Sequence, residues 1–173
     1  SFSVTGNAIA PGTCSGTSML WIMQEEPDIY RKTRYFAHGT TYMGAKLTGN
    51  VGIDPTNASY TGLFDTCNTW KWSSEFSRRL DIPLNVLPKV LPSASPVGCI
   101  TEDVAKATGL LAGTPVAMGG ADTACSALAI GVVEARQVFE SCGTSDVITI
   151  CLDKPRFDKR FLNRCHVVPN RWL

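Results

Sequence analysis

The chain of 173 residues is long enough for one domain of ordinary size, or for one domain and part of another. Its 16 Lys and Arg residues nearly balance its 15 Asp and Glu residues, and 44% of its residues are hydrophobic, which excludes a disordered, collagen-like or coiled-coil chain. The net charge of +1 and the scattered basic residues argue against binding to nucleic acid or to an anionic membrane, because both need a clustered basic excess.

The sequence carries no sign of secretion or of a membrane anchor. No apolar run approaches the roughly 20 residues that cross a bilayer, and the first residues lack the basic and then apolar order of a signal peptide. We therefore expect a soluble, cytoplasmic protein. The chain begins at Ser1 without an initiator Met and stops at Leu173 without a polar tail, which predicts that it is a piece of a longer protein.

The seven cysteines form an odd set without close pairs, which argues against a secreted disulfide framework. Their spacing also lacks the short repeats of a zinc site. We expect reduced, mostly buried thiols and no metal cluster.

The first half of the chain is predicted to be mainly helical. Residues 1–16 are rich in Gly, Ser and Thr and predict a loop. Apolar spacing and cap residues then predict a series of helices, over residues 18–26, 29–36, 41–47 and 73–80. Four prolines within residues 81–98 forbid a regular helix there and predict an extended connector across the surface.

The second half alternates strands and helices. Thr101 and Gly109 are of the residue types that start and end a helix. Residues 115–118 predict a short buried strand, two glycines follow it, and Asp122 opens a helix of small residues.

The order strand, glycine pair, Asp122, helix can place a carboxylate at a ligand site. Glycines let a backbone or a ligand approach closely, and a helix N-terminus stabilises an ionised carboxylate. Such a carboxylate can orient a hydroxyl and take its proton during phosphoryl transfer. Asp is also a preferred N-cap residue, and from position alone plain capping is the more frequent role. Both roles stay open at this point.

The β-rich runs 137–141 and 146–151 flank a turn, which predicts a hairpin. Within that turn, Gly143, Thr144 and Ser145 offer backbone amides and hydroxyl groups that suit phosphate oxygens. An ordinary hairpin turn has the same composition, so the turn by itself does not establish a phosphate site.

Other candidate residues point first to structural roles. Trp21, Trp70 and Trp72 could stack on a sugar or a base, yet aromatic side chains more often belong to the core. His38 has no adjacent nucleophile with an orienting acid and is predicted to be structural. The sequence contains no Walker A loop, dinucleotide fingerprint or serine nucleophile elbow. Reasoning from the residues alone ends at a soluble α/β protein with a cleft that could face phosphate.

An ordered set of short motifs is more specific than any one of them. In chain order they are Trp21, Glu26-Pro27, Lys46-Leu47-Thr48-Gly49, Asp54, Asn57-Ala58-Ser59, Gly62-Leu63-Phe64-Asp65, Trp70-Lys71-Trp72-Ser73, Gly113-Thr114-Pro115-Val116, Gly119-Gly120-Ala121-Asp122 and Gly143-Thr144-Ser145. This set resembles the middle of FGGY-family carbohydrate kinases over nearly the whole chain, and it is most similar to xylulokinase-like members.

The resemblance implies a fold and a division of the chain. The family fold is α/β, an actin-like (ribonuclease H-like) two-domain sugar kinase. Residues 1–134 would then be the later part of the N-terminal sugar-binding domain. Residues 135–173 would be the start of the C-terminal ATP-binding domain, and the chain alone is expected to be inactive.

The resemblance also implies an activity. Family members transfer a phosphoryl group from ATP, with Mg²⁺, to a hydroxyl of a sugar or polyol, and a xylulose-like ketose is the favoured acceptor. Asp122 falls on the catalytic base, Thr123 on a substrate contact, and Gly143, Thr144 and Ser145 on the turn that approaches the nucleotide phosphates. No residue of the chain is assigned as a metal ligand. The implied partners are the sugar and ATP, without nucleic acid or membrane, and a homodimer is left open.

The chain departs from the family pattern at several positions. Relatives often carry Asn or Gln at the place of Thr123, Lys at that of Ser18, and Lys-Asp at that of Thr40-Thr41. These departures indicate a divergent subgroup. The alternative function is a non-catalytic sugar-binding or regulatory domain on the same scaffold.

Overall fold

The computed structural model describes residues 2–8, 12, 14–143 and 146–173. Its helices are α1 (Phe2–Thr5), α2 (Ser15–Glu25), α3 (Pro27–Lys32), α4 (Gly39–Thr48), α5 (Pro55–Ala58), α6 (Ser74–Arg79), α7 (Glu102–Thr108) and α8 (Asp122–Ala129), with a 3₁₀ turn at Leu84–Val86. Its strands are β1 (Gly52–Ile53), β2 (Lys89–Val90), β3 (Pro96–Cys99), β4 (Pro115–Ala117), β5 (Val138–Cys142) and β6 (Asp146–Ile150). None of the helices within the described ranges has the length and apolar character needed to cross a membrane.

Helix α2 begins earlier than predicted, and tertiary contacts set its start. The backbone N–H of Ser15 donates to the carbonyl of Tyr60 at 3.1 Å, and that of Gly16 donates to the carbonyl of Thr61 at 2.9 Å. These bonds satisfy two amides that the start of a helix leaves without an intrahelical partner. The predicted loop over residues 1–16 is therefore wrong for α1 and for the first turn of α2.

Helix α3 is shorter than predicted at its end. It begins at Pro27, whose fixed φ suits a first helical turn, and it ends at Lys32. Phe36 lies in the core at 8% exposure, and its N–H donates to the carbonyl of Val86 at 2.8 Å. The chain after α3 is therefore drawn into the core instead of continuing the helix.

The predicted caps of α6 and α7 are confirmed. The side chain of Ser73 accepts from the N–H of Phe76, and that of Thr101 accepts from the N–H of Val104. Helix α7 ends at Gly109 with a φ of 79°, a left-handed conformation that glycine adopts without steric cost. Each of these caps depends on residues a few positions apart.

The strands of the described residues pair in twos. Strands β1 and β2 are parallel, whereas β3 and β4 are antiparallel. Strands β5 and β6 form the predicted antiparallel hairpin, with Cys142 opposite Asp146. Strand β4 is not the buried strand that was expected, because Pro115 and Ala117 are exposed and burial begins at Met118.

The main core is formed by helices α2 and α6 and the connector that follows α6. Its buried side chains are Met19, Phe36, Leu63, Phe76, Ile82, Val86 and Leu87. The prediction that residues 81–98 run across the surface is therefore wrong in their first part. Prolines prevent a regular helix there, but they leave the apolar side chains free to turn inward.

Two buried asparagines join the start of the described chain to its last segment. The Asn7 side-chain amide donates to the carbonyl of Asn163 at 2.9 Å, and the N–H of Asn163 donates to Asn7 Oδ1 at 2.7 Å. The side-chain amide of Asn163 also donates to the carbonyls of Gly6 and Arg156, and its Oδ1 accepts from the N–H of Arg156. Such complete satisfaction removes the free-energy penalty of burying an amide.

All seven cysteines are free, as predicted. Cys67, Cys151 and Cys165 are buried, but three others are exposed, so the expectation of mostly buried thiols is wrong. Burial, with a smaller effect of nearby Asp65, raises the pKa of the Cys67 thiol to about 11. A thiol with so high a pKa carries little thiolate at neutral pH and is chemically inert.

Candidate active site

A cleft of about 550 Å³ opens where α2, α4, α5 and α8 begin. Its lining includes hydroxyl, imidazole, amide and carboxylate groups. The lining residues that matter below are Ser15, His38, Thr40, Asn57, Tyr60 and Asp122.

Asp122 is the first residue of α8, and Ala121 takes the N-cap position that was expected for Asp122. Asp122 Oδ1 accepts from the N–H of Thr123 at 2.7 Å, so the carboxylate still satisfies an amide of the first turn. The side chain is exposed at the edge of the cleft. A carboxylate in this position is favoured by the helix dipole and remains accessible to a ligand.

The segment before Asp122 is held in place by a close backbone approach. A Cβ at Gly120 would lie 2.5 Å from Val167 Cγ1 and 3.2 Å from Thr56 Oγ1, so only glycine fits without a shift. Gly119 has a φ of 73°, which also favours glycine. Of the glycine pair predicted to allow close approach, Gly120 therefore approaches the protein's own side chains, whereas the Cβ position of Gly119 is open.

Thr56 connects this segment to a buried carboxylate. Its Oγ1 donates to Asp54 Oδ1 and accepts from the N–H of Ala121 at 2.6 Å. A hydroxyl has one proton to donate, and the acceptor-only carboxylate takes it. Ala121, directly before Asp122, is thus positioned through Thr56 by Asp54.

Asp54 is fully buried and caps α5. Its Oδ1 accepts from the N–H of Asn57 at 2.9 Å, and its Oδ2 accepts from the side-chain amide of Asn57 at 2.7 Å. Together with the Thr56 hydroxyl, these donors compensate the removal of the carboxylate from water.

The hydrogen bonds continue from Asn57 into the cleft. Asn57 Oδ1 lies 3.2 Å from His38 Nδ1, and His38 Nε2 lies 3.0 Å from Ser15 Oγ. The second hydrogen of the Asn57 amide reaches Thr40 Oγ1 at 3.1 Å. The structure therefore brings together one residue each from α2, α4 and α5, with His38, the residue before α4.

Arg164 lies behind one wall of the cleft. Its guanidinium carbon is 4.0 Å from the centre of the Tyr60 ring, and its Nε is buried without a partner among the described residues. Burial lowers the pKa of Arg164, and the nearby Tyr60 opposes that shift. The ring of Tyr60 is thus fixed against a cation that is largely removed from water.

The residues predicted for the site do not all meet at this cleft. Thr123 is half-buried next to Asp122 and is not among the described residues that line the cleft. Gly143 is exposed between β5 and β6, away from the cleft lining. Thr144 and Ser145 lie outside the described residues.

The tryptophans divide between core and surface. Trp72 donates from Nε1 to the carbonyl of Pro88 at 2.8 Å, and the ring of Trp70 packs edge-on against that of Trp172. Trp21 is 57% exposed and does not line the cleft. None of the three tryptophans predicted as stacking candidates faces this cleft.

Sequence reasoning missed the series from Ser15 to Asp54. Asp54 and Asn57 enter the sequence analysis only as members of the motif set, and His38 is predicted to be structural. The Asp-Pro step was an available signal, because Asp followed by Pro at the first helical position is a typical helix start. The contact of His38 with Asn57 is tertiary and has no local signal.

The donor set does not form a magnesium site made of protein groups alone. Within the described ranges, no three His, Cys, Asp or Glu side chains group together as metal ligands do. Asp54 is committed to its own hydrogen bonds. We derive no step through a metal.

The chain matches a family model and several known proteins. Residues 1–129 match the model of the FGGY family of carbohydrate kinases, N-terminal domain. The chain is 32% identical to autoinducer-2 kinase of Klebsiella pneumoniae over 170 residues, covering 97% of this chain and 31% of that protein. It is 31% identical to xylulose kinase of Escherichia coli over 173 residues, covering 98% of this chain and 35% of that protein.

A solved structure shows the same fold. The crystal structure of xylulose kinase from Rhodospirillum rubrum superposes with a TM-score of 0.90 at 26% identity, covering 99% of this chain and 35% of that one. The prediction of an α/β fold that is part of an actin-like two-domain sugar kinase is confirmed. The chain spans about a third of the length of the curated relatives it matches. Motif order, fold and family model agree, and the chain belongs to the FGGY family of carbohydrate kinases.

Proposed function

We propose that the protein is an ATP-dependent carbohydrate kinase that phosphorylates a hydroxyl of a sugar or polyol. The observation that carries the proposal is the position of Asp122, an exposed carboxylate at the start of α8, on the edge of a cleft lined by hydroxyl and imidazole groups. Family membership supports the same activity.

Asp122 acts as the base of the reaction. It accepts a hydrogen bond from the acceptor hydroxyl and takes its proton as the hydroxyl oxygen forms a bond to the γ-phosphorus of ATP. The bond between that phosphorus and the leaving oxygen breaks, and ADP is released. Because phosphoryl transfer depends mainly on positioning and charge stabilisation, a carboxylate fixed at a helix start is well suited to orient the hydroxyl.

The nucleotide side of the reaction is assigned to the β5–β6 turn. Gly143, Thr144 and Ser145 approach the phosphates of ATP, and Thr123 contacts the acceptor next to Asp122. We divide the chain into residues 1–134, the later part of the sugar-binding domain, and 135–173, the start of the ATP-binding domain. The match of the N-terminal domain model to residues 1–129 supports this division.

We propose Mg²⁺ as the cation that would accompany ATP. When bound, it would neutralise charge on the transferring phosphates.

A xylulose-like ketose is the favoured acceptor. The similarity to xylulose kinase and the nearly equal similarity to autoinducer-2 kinase support a small hydroxylated acceptor without choosing between the two. A screen of the full-length protein against ketopentoses, polyols, sugar acids and autoinducer-2, with ATP turnover as readout, would identify the substrate.

The test of the base is Asp122→Asn in the full-length protein. We expect kcat for sugar phosphorylation to fall by about 10²–10⁴, the usual range for general-base assistance. Asp103→Asn is the matched control, because Asp103 is also an exposed acid in the first turn of a helix, α7, and lies away from the cleft. A kcat near that of the unmodified protein would sink the assignment. Sugar binding without any ATP turnover by the unmodified protein would instead favour a binding or regulatory domain.

A further inference from the structure

The series of hydrogen bonds behind the cleft fixes the orientation of one amide. The Asp54 carboxylate can only accept, and it is fully buried. The Asn57 group that lies 2.7 Å from Asp54 Oδ2 must therefore be its NH₂. The other hydrogen of that NH₂ reaches Thr40 Oγ1, so the oxygen of Asn57 faces His38.

The orientation of Asn57 in turn fixes the tautomer of His38. Because Asn57 Oδ1 only accepts, the His38 nitrogen 3.2 Å away, Nδ1, must carry a proton. In a neutral imidazole, Nε2 is then the acceptor. Nε2 faces Ser15 Oγ at 3.0 Å, and both residues line the cleft.

A nucleophilic role for Ser15 does not fit this geometry. Acyl transfer needs backbone amides that are free to stabilise an oxyanion. The amides of Ser15 and Gly16 are already bonded to the carbonyls of Tyr60 and Thr61. The arrangement is therefore built to accept a hydrogen bond from a ligand and not to attack one.

We propose that His38 determines specificity by accepting, at Nε2, a hydrogen bond from one hydroxyl of the acceptor sugar, and that Asn57 and Asp54 are positioning residues that hold the required tautomer. This inference rests on the proposed kinase function and names which side of the cleft distinguishes substrates. When the sugar is absent, the Ser15 hydroxyl donates to His38 Nε2. When the sugar binds, the Ser15 hydroxyl rotates away. A ligand without that hydroxyl forgoes this hydrogen bond, and Nε2 keeps the Ser15 hydroxyl as its partner, so such a ligand binds less well than the hydroxylated sugar.

The first experiment measures the tautomer and needs no activity. The ¹⁵N shifts of imidazole nitrogens distinguish the two neutral forms, and the signals lost in His38→Leu and in His166→Gln identify these two histidines in the full-length protein. His166 is the internal reference, because its Nε2 lies 2.9 Å from the carbonyl of Val132 and its Nδ1 accepts from the N–H of Val168. We expect opposite tautomers, Nδ1–H for His38 and Nε2–H for His166. An Nε2–H form at His38 in the full-length protein would overturn the proposal.

The second experiment uses D-xylulose and its monodeoxy analogues as probes of the full-length protein. Xylulose should shift the His38 Nε2 resonance, and one analogue should fail to do so. In turnover, His38→Leu should lower kcat/KM for xylulose about tenfold, and should leave kcat/KM for that single analogue nearly unchanged. Ser15→Ala is the matched control and should keep the difference in kcat/KM between xylulose and that analogue.

The outcomes separate this inference from the kinase assignment. A uniform loss across all analogues in His38→Leu, or the absence of an Nε2 shift with xylulose, would overturn the role of His38 whatever the result for Asp122. Full activity of Asp122→Asn would remove the catalytic base but would leave the tautomer and the Nε2 shift unaffected. If Asn57→Leu folds, its His38 should lose the Nδ1–H form. If Asn57→Leu does not fold, the comparison of Ser15→Ala with His38→Leu still tests the role of His38.

Discussion

Gly16, in the first turn of α2, lies so close to Thr61 that a Cβ at Gly16 would stand 2.5 Å from the Thr61 carbonyl oxygen. The same two residues are joined by a hydrogen bond of 2.9 Å from the N–H of Gly16 to that oxygen. The contact presses the start of α2 against the segment after α5 and thereby places Ser15 in the cleft.

The contact predicts opposite effects of one substitution at two helical glycines. Gly16→Ala should lower the free energy of unfolding by about 1–3 kcal/mol, because the methyl group meets backbone that cannot rotate away. Gly44→Ala in α4 should be neutral or stabilising by about 0.5–1 kcal/mol, because its Cβ would lie 3.5 Å from Val97 Cγ1 in ordinary contact. Thermal or urea unfolding of both variants checks the difference. Equal destabilisation would contradict the close contact at Gly16.

His166 should make stability depend on pH. It is 1% exposed, and burial lowers its pKa below the ordinary value of about 6.5. The folded state therefore resists protonation, and the unfolded state binds more protons below pH 6.5. The neutral side chain makes its full contribution to the free energy of unfolding above pH 6.5. This contribution is lost as the pH falls toward the lowered pKa.

The check compares melting temperatures of the unmodified protein and His166→Gln between pH 5 and 8. The unmodified protein should be the more stable at pH 8, and the difference should shrink toward pH 5. His38→Gln is the comparison at the other histidine, which is half-buried. A difference for His166→Gln that does not change with pH would contradict the buried neutral state.

Thr56 should affect catalysis through its position between Asp54 and Ala121. Thr56→Val keeps the shape of the side chain but removes the hydroxyl that accepts from the N–H of Ala121. The segment before Asp122 then loses its anchor, so kcat should fall about tenfold or more while KM changes less. Thr56→Ser should restore kcat because it restores the hydroxyl. A Thr56→Ser variant as impaired as Thr56→Val would indicate a packing role for the methyl group alone.

The parts of the fold that sequence predicts well are those with local causes. The start of α7 at Thr101 and its end at Gly109 follow from residues within one turn, and the hairpin follows from two β-rich runs around a short turn. The start of α2 is different, because carbonyls of Tyr60 and Thr61 determine it. No pattern near Ser15 contains that information.

The candidate site also combines features with local causes and features that depend on tertiary contacts. The position of Asp122 at the start of a helix is readable from glycines and small residues nearby, and its place at the cleft depends on Thr56, far away in sequence. His38 looks structural by sequence because its partners Ser15 and Asn57 lie on other elements. Predicting this site requires the tertiary fold, since its hydrogen bonds cross between elements.

The series from Ser15 through His38 and Asn57 to Asp54 has a consequence for protein engineering. Each member fixes the proton position of the next, so a loop transplanted from a relative would leave an amide or an imidazole facing the wrong partner. A chimera that changes acceptor preference should therefore exchange residues 15–57 as one block.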